Sequence, residues 1–193
     1  MTEVSGLDVN TNNITITFTF PNGKVQCSKQ ACRLVDMVNG TLQLEPTKTE
    51  FNFPLLTDAN VMRDMVTYLE YYKDKEPKVL PKPLPSTEYK DWCDPWDATY
   101  LQTLVGSDIK SSSEEELAYL REQRHFQIML YANFLRIEPL KLLECARFAV
   151  MLKTKSFDDI KKLYRITKTL TAEEEKKIRE MHPEFFEWLR PKN

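Results

Sequence analysis

A succession of short helical segments in the last third of the chain constrains the fold more than any other feature of the sequence. In residues 125–135 apolar side chains recur every three or four positions, which predicts one buried helical face. These positions are Phe126, Ile128, Met129, Ala132 and Leu135. Residues 139–153 carry apolar side chains around the whole helix axis, so this helix is either fully buried or covered on its outer side by a partner. Such a surplus of apolar surface is typical of a protein that binds another protein.

Capping signals predict two further helices. Ser156 with Asp159, and Thr171 with Glu174, place a hydroxyl and a carboxylate three residues apart, which is the spacing of a capping box. Pro183 predicts the end of the second of these helices and the start of a last short one.

The C-terminal tail is rich in aromatic residues. Phe185, Phe186 and Trp188 lie within the last nine residues, where most chains fray. Two interpretations stay open at this point: the tail folds back onto its own core, or its aromatic side chains anchor a partner.

The first half of the chain has the pattern of strands mixed with helices. Residues 14–20 alternate apolar and hydroxylated side chains, and a Pro-Asn-Gly turn leads to a second strand at residues 24–27, which predicts a hairpin. Ser28 then caps a helix that is expected to end at Asn39 and Gly40.

A short strand at residues 51–55 and a helix capped by Asp58 follow in the prediction. Residues 76–86 contain four prolines, which indicates an extended loop. The predicted fold class is therefore α/β (α+β), with a small sheet and helices first and an all-helical part after them.

Composition and charge exclude several classes of protein. The chain of 193 residues is 41% hydrophobic and 29% charged, which argues against disorder. No apolar run approaches the roughly 20 residues of a membrane-spanning helix. The net charge of −2 gives no electrostatic reason to expect nucleic acid as a partner. Because the first residues lack the basic start and apolar stretch of a secretory signal, we expect an intracellular protein.

Residues that carry catalytic chemistry are scarce. The two histidines, His125 and His182, stand in no motif with a nucleophile, and no glycine-rich phosphate loop is present. The cysteines form no CxxC pair, so a zinc site is disfavoured, and Cys145 is interpreted as a small core residue of an apolar helix. The four cysteines are Cys27, Cys32, Cys93 and Cys145. We expect no catalytic residue, no metal and no cofactor.

Three segments together resemble a known family. Residues 132–137, Ala-Asn-Phe-Leu-Arg-Ile, look like its A-N-Y-L-x-I motif, and residues 156–160 look like its [ST]-P-E-E-I. Residues 171–175 look like its T-x-E-E-E, and Pro95-Trp96-Asp97 completes the likeness in the first half. The chain thus resembles the S-phase kinase-associated adaptor, the linker subunit of SCF ubiquitin ligases. The resemblance implies a BTB/POZ-like domain at residues 1–136 and a helical F-box-binding extension at residues 137–193.

The resemblance also implies partners and site residues. Family members join a cullin to F-box proteins, and Asn133 and Phe134 match the family's cullin-binding Asn-Tyr pair, with Phe134 lacking the hydroxyl. Some positions of the implied F-box surface must pack internally instead. That surface comprises Leu140, Leu143, Cys145, Phe148, Leu152, Ile160, Tyr164, Ile166, Ile178, Phe185, Phe186 and Trp188.

Two departures from the family pattern stand out. Residues 105–124 form an insertion whose Glu-rich half predicts an extra helix. The loop at residues 76–86 is rich in Pro and Lys where the family is typically acidic.

Three functional hypotheses follow. The first is a ubiquitin-ligase adaptor without chemistry of its own, cytoplasmic and nuclear, which self-associates through its apolar face when no F-box protein is bound and has no membrane or nucleic-acid partner. The second is a structural component, in a kinetochore-like or other assembly, that binds an F-box-like protein without a cullin. The third is an enzyme, for which loss of activity on His125→Ala would be the evidence.

Overall fold

The computed structural model describes residues 14–183. The chain divides into two compact units, Met1–Ser156 and Phe157–Asn193. The first unit contains the sheet and five α-helices among its described residues, and the second contains two. The domain boundary implied by the family resemblance, after residue 136, stays a prediction.

A three-stranded sheet forms one part of the first unit. Strand β1 (Thr15–Phe20) pairs antiparallel with β2 (Gly23–Ser28) and parallel with β3 (Glu50–Asn52), giving the order β2-β1-β3. The predicted hairpin is confirmed, and the alternation in β1 arises because every second side chain points into the core. These buried side chains are Ile16, Phe18 and Phe20.

Helices cover the rest of the first unit. A 3₁₀ turn at Ala31–Leu34 precedes the first α-helix, and a π-helical turn at Tyr100–Leu104 extends the third. The α-helices are α1 (Asp36–Leu44), α2 (Ala59–Tyr71), α3 (Pro95–Thr99), α4 (Glu114–Phe134) and α5 (Glu138–Thr154). The predicted cap of α2 is confirmed, since the Asp58 carboxylate accepts a hydrogen bond from the Asn60 N–H at 2.8 Å.

Two helix boundaries predicted from sequence are wrong. Asn39 and Gly40 lie inside α1, because the helix continues to bury Leu42, and that burial outweighs the cost of a glycine. Helix α4 begins at Glu114 rather than near His125, with Ser113 as its cap accepting from the Glu116 N–H at 3.3 Å. The Glu-rich half of the predicted insertion is therefore the first half of α4 and not an extra helix.

The turn between α4 and α5 fixes the angle at which α5 leaves. Arg136 adopts a left-handed conformation with φ 57°, and the Ile137 N–H donates to the Ala132 carbonyl at 2.8 Å, as in a Schellman helix end. Leu135 and Ile137 on either side are fully buried. The turn is thus held both by backbone hydrogen bonds and by core packing.

The second unit contains α6 (Phe157–Leu163) and α7 (Ala172–Met181). The capping box at α7 is confirmed, because the Thr171 hydroxyl accepts from the Glu174 N–H while the Glu174 carboxylate accepts from the Thr171 N–H. Neither helix contains a buried residue. The last predicted helix lies outside the described residues. Within residues 14–183, no helix combines the length and the apolar character needed to cross a membrane.

Candidate protein-binding surfaces

The predicted cullin-binding residues lie at the C-terminal end of α4. Asn133 is exposed, and the Phe134 side chain is 39% exposed. The ring of Phe134 meets the ring of Phe53 edge-on, with 6.5 Å between the centroids. Phe134 is therefore held on one side by the aromatic end of the sheet and open to solvent on the other.

Phe134 belongs to a longer apolar stripe on α4. Phe126, Leu130 and Phe134 are spaced by four residues, so they share one face of the helix. The exposed fraction is 39% for Phe126, 50% for Leu130 and 39% for Phe134. We call these three residues the α4 stripe. The sequence interpretation placed Phe126 on a buried face and omitted Leu130. The spacing by four from Phe134 was the signal that could have found both.

The opposite side of α4 is locked into the first unit. Ile128, Ala132 and Leu135 are fully buried, and the Tyr131 hydroxyl accepts a hydrogen bond from the Asp58 N–H at the start of α2, at 2.9 Å. The α4 stripe is consequently presented on a rigid helix.

Buried polar contacts join α4 to α5. His125 Nδ1 lies 3.0 and 3.1 Å from the two carboxylate oxygens of Glu144, and both side chains are buried. Arg147 donates a hydrogen bond to Glu122. Burial alone would lower the pKa of Arg147, but the carboxylates of Glu122 and Glu144 outweigh it, so the pKa is raised. His125 therefore lies in the middle of α4, where it contacts α5, and not at the start of a helix as predicted.

Helix α5 has a buried side and an outer side. Leu140 and Leu143 are buried in the core, so they support the helix from within and offer no surface in this structure. Cys145 and Leu152 are exposed on the outer side, and Phe148 is half-buried. The core assignment of Cys145 is wrong, because it lies almost opposite the side that packs on α4. Because α5 carries apolar residues on every side, the sequence did not show which side is buried.

In the second unit the predicted F-box residues are accessible. Ile160, Tyr164 and Ile178 are half-buried, and Ile166 is exposed. Three further apolar side chains, which the sequence interpretation did not select, are also exposed: Phe157, Leu170 and Met181. Phe185, Phe186 and Trp188 lie outside the described residues. The assignment of the cullin and F-box residues stays a prediction.

Metal-ligating clusters are absent from the part of the chain that the structure describes. No group of three or more His, Cys, Asp and Glu side chains is arranged to hold an ion there. The four cysteines are free thiols.

Comparison with known proteins places these surfaces in a family. Residues 138–184 match the family model described as "Skp1 family, dimerisation domain". The chain is 33% identical over 138 residues to the S-phase kinase-associated protein 1 homolog of Tetrahymena thermophila, covering 71% of this chain and 74% of that protein. It is 34% identical over 103 residues to SKP1-like protein 13 of Arabidopsis thaliana, covering 53% and 57%, respectively.

A fungal relative carries a more explicit name. The chain is 27% identical over 122 residues to the E3 ubiquitin ligase complex SCF subunit sconC of Arthroderma benhamiae, covering 63% of this chain and 64% of that protein. The likeness to the Tetrahymena protein extends over most of both chains, and the match at residues 138–184 falls on the helices with the exposed apolar side chains. The chain belongs to the Skp1 family.

Proposed function

We propose that the chain is the adaptor subunit of an SCF-type ubiquitin ligase and joins a cullin to F-box proteins. The observation that carries this proposal is that apolar side chains are exposed in two different places, on α4 and on the helices that follow it. One binding surface would suffice for a simple binding module, whereas an adaptor needs two. The names of the fungal relatives as SCF subunits support the same assignment.

The α4 stripe together with Asn133 is assigned to the cullin. Large apolar side chains on a rigid helix lose little conformational entropy when they bind a partner, so they are suited to anchor an interface. Asn133 adds a polar group at the edge of the stripe. Phe126 and Leu130 extend the contact along α4 beyond the two residues implied by the family motif.

The outer side of α5 and the apolar side chains of α6 and α7 are assigned to F-box proteins. Their burial against a partner would stabilise the complex by about 25 cal/mol for each Å² of apolar area, before the cost of ordering is subtracted. The proposal gives the chain no catalytic step, since it acts by bringing a substrate receptor to the cullin. It also places the protein in the cytoplasm and nucleus and predicts self-association of the unbound chain.

The test measures binding to the N-terminal domain of a cullin from the same cells, by calorimetry. The double variant Leu130→Glu/Phe134→Lys is expected to weaken this binding by about a hundredfold, because it places charges inside an apolar contact. Leu130 and Phe134 are partly exposed, so the double variant is expected to stay folded, with a small loss of stability from the Phe53 contact, and to keep its affinity for an F-box protein. Gln102→Lys, an exposed substitution outside the stripe, is the control.

Phe134→Tyr provides a second readout, since it restores the hydroxyl of the family's tyrosine and is expected to bind the cullin at least as tightly. Cullin binding that is unchanged in the double variant would contradict the assignment of the stripe. A wild-type chain that binds F-box proteins but no cullin would favour the structural-component hypothesis instead.

A further inference from the structure

A groove lies between the proline-rich loop and the outer side of α5 in the first unit. Two cavities of about 200 and about 180 Å³ follow one another along it. Leu80 of the loop and Leu142 of α5 line both cavities, and the first one is also lined by Leu84, Cys145 and Ala149. The groove is therefore apolar on both of its walls.

The loop is a fixed wall because it is anchored in the core. Leu80 and Leu84 are partly buried and pack against the core of the first unit. Pro81 and Pro83 between them restrict the backbone. Val79, the residue before this anchored stretch, is 90% exposed at the rim of the second cavity. An apolar side chain is thus held in solvent at the entrance of an apolar groove.

The size of the cavities indicates what kind of group they accept. Both are smaller than the roughly 300–1,000 Å³ of typical small-molecule sites, so each suits a single apolar side chain. Two such cavities in succession along a helix match the way an amphipathic helix places successive anchors in a groove. A helical segment of a protein fits this geometry.

The charges at the groove are basic. Lys78 and Lys82 are among the lining residues and are exposed. The carboxylate of Glu138 is already paired with Lys141, at 2.5 Å. Lys78 reaches Asp94 only at 4.0 Å, and Lys82 forms no ion pair with any residue in the range 14–183. Two lysines are thus available to attract a negatively charged partner.

We propose that this groove docks an acidic, amphipathic helical segment of the F-box partner and so selects among F-box proteins. The inference rests on the proposed function, because the groove shares Cys145 with the surface assigned to F-box proteins. It adds residues 77–84 to that surface and assigns a specificity-determining role to Lys78 and Lys82.

Calorimetry with two matched probes tests the proposal. The first probe is a recombinant F-box segment, from the same cells, that includes a helix carrying Asp and Glu beside its apolar residues. The second is the same segment with those acidic residues changed to Asn and Gln. Lys78→Glu/Lys82→Glu in the full chain is expected to weaken binding of the acidic probe about tenfold and to leave the neutral probe unchanged. Lys90→Glu/Lys110→Glu, exposed lysines outside the groove, is the matched control.

Ala149→Phe tests the apolar part of the groove without changing charge. It fills the first cavity and is expected to weaken both probes by about tenfold while the unfolding midpoint is retained. Wild-type affinities in both groove variants would overturn the groove proposal and leave the adaptor proposal intact. Failure of the wild-type chain to bind either probe would overturn both. An Ala149→Phe variant that only converts a dimer to a monomer would overturn the groove proposal in favour of a second copy of this chain as the occupant.

Discussion

Two pairs of helices, α4 with α5 and α6 with α7, show similar local signals but differ in burial, since only the first pair contains buried residues. Helices α4 and α7 both begin at a hydroxyl cap, and α4 and α6 both end at an arginine in the left-handed conformation, Arg136 and Arg165. In both turns an isoleucine follows and donates its N–H to the carbonyl five residues earlier, at 2.8 Å. Ile137 is fully buried, whereas Ile166 is 49% exposed.

The contrast shows that capping and turn signals specify where helices begin and end, but not what they pack against. In the first unit an internal core stabilises helices with and without a side-chain cap, since α4 has one and α5 has none. In the second unit α7 has a capping box, and both α6 and α7 have exposed apolar side chains without a buried residue. Helices of this kind gain most of their stability from packing, which a binding partner would supply.

The largest effect is expected from comparing one apolar residue in each region. Leu140→Ala should lower the free energy of unfolding by about 2–5 kcal/mol, because it leaves a cavity in the core. Ile166→Ala should lower it by less than about 0.5 kcal/mol, because that side chain is exposed, yet it should weaken F-box binding. Urea unfolding and calorimetry measure the two quantities, and equal stability losses in both variants would remove the distinction between the regions.

The polar contact inside the first unit provides the next effect. Glu144→Ala leaves the buried His125 ring without its partner and should cost about 1–3 kcal/mol of unfolding free energy. Glu144→Gln keeps a side-chain oxygen for His125 Nδ1 and should cost less. Urea unfolding of the two variants checks the order, and a Glu144→Ala protein as stable as the wild type would show that the contact does not support the α4–α5 packing.

A smaller and local effect is expected at the cap of α7. Thr171→Ala removes half of the capping box and should destabilise α7 by about 1 kcal/mol. Since α7 has no buried residue, the unfolding midpoint of the first unit should not change. Amide hydrogen exchange resolved by peptide measures both regions at once, with Thr171→Ser as the control that keeps the cap. A matching loss of protection in α4 and α5 would contradict the independence of α7.

The smallest effect is a gain at the turn after α4. Arg136 has φ 57°, which costs a non-glycine residue about 1 kcal/mol. Arg136→Gly should therefore raise the unfolding free energy by up to about 1 kcal/mol, and Arg136→Asn by less. A thermal melt compares the three proteins. A destabilised glycine variant would mean that the arginine side chain contributes more than its backbone strain costs.

The sequence predicted those parts of the fold in which a local pattern determines the outcome. The alternation in β1 predicted a half-buried strand, and Asp58 and Thr171 were recognised as caps because their hydrogen bonds are local. The residues selected for F-box binding in the second unit followed from the resemblance to the family. The accessibility of four of them is seen only in the structure, namely Ile160, Tyr164, Ile166 and Ile178.

The remainder depends on tertiary packing that periodicity does not reveal. Apolar residues all around α5 gave no means of telling that Leu140 faces the core and Cys145 faces solvent. Phe126 was assigned to the buried face because spacing by three or four describes an exposed stripe as well as a core stripe. The charged first half of α4 was predicted as a separate helix, because its weak apolar pattern does not show that it continues into residues 125–134.

Hydrogen–deuterium exchange of the full chain, alone and with a bound F-box segment from the same cells, shows whether α6 and α7 depend on a partner for their stability. We expect α4 and α5 to be protected in both states, because they pack in a core of their own. Helices α6 and α7 should exchange rapidly in the free chain and slow by at least about tenfold in the complex. If α6 and α7 are as protected in the free chain as α5, and binding does not change their exchange, they do not depend on a partner for their stability.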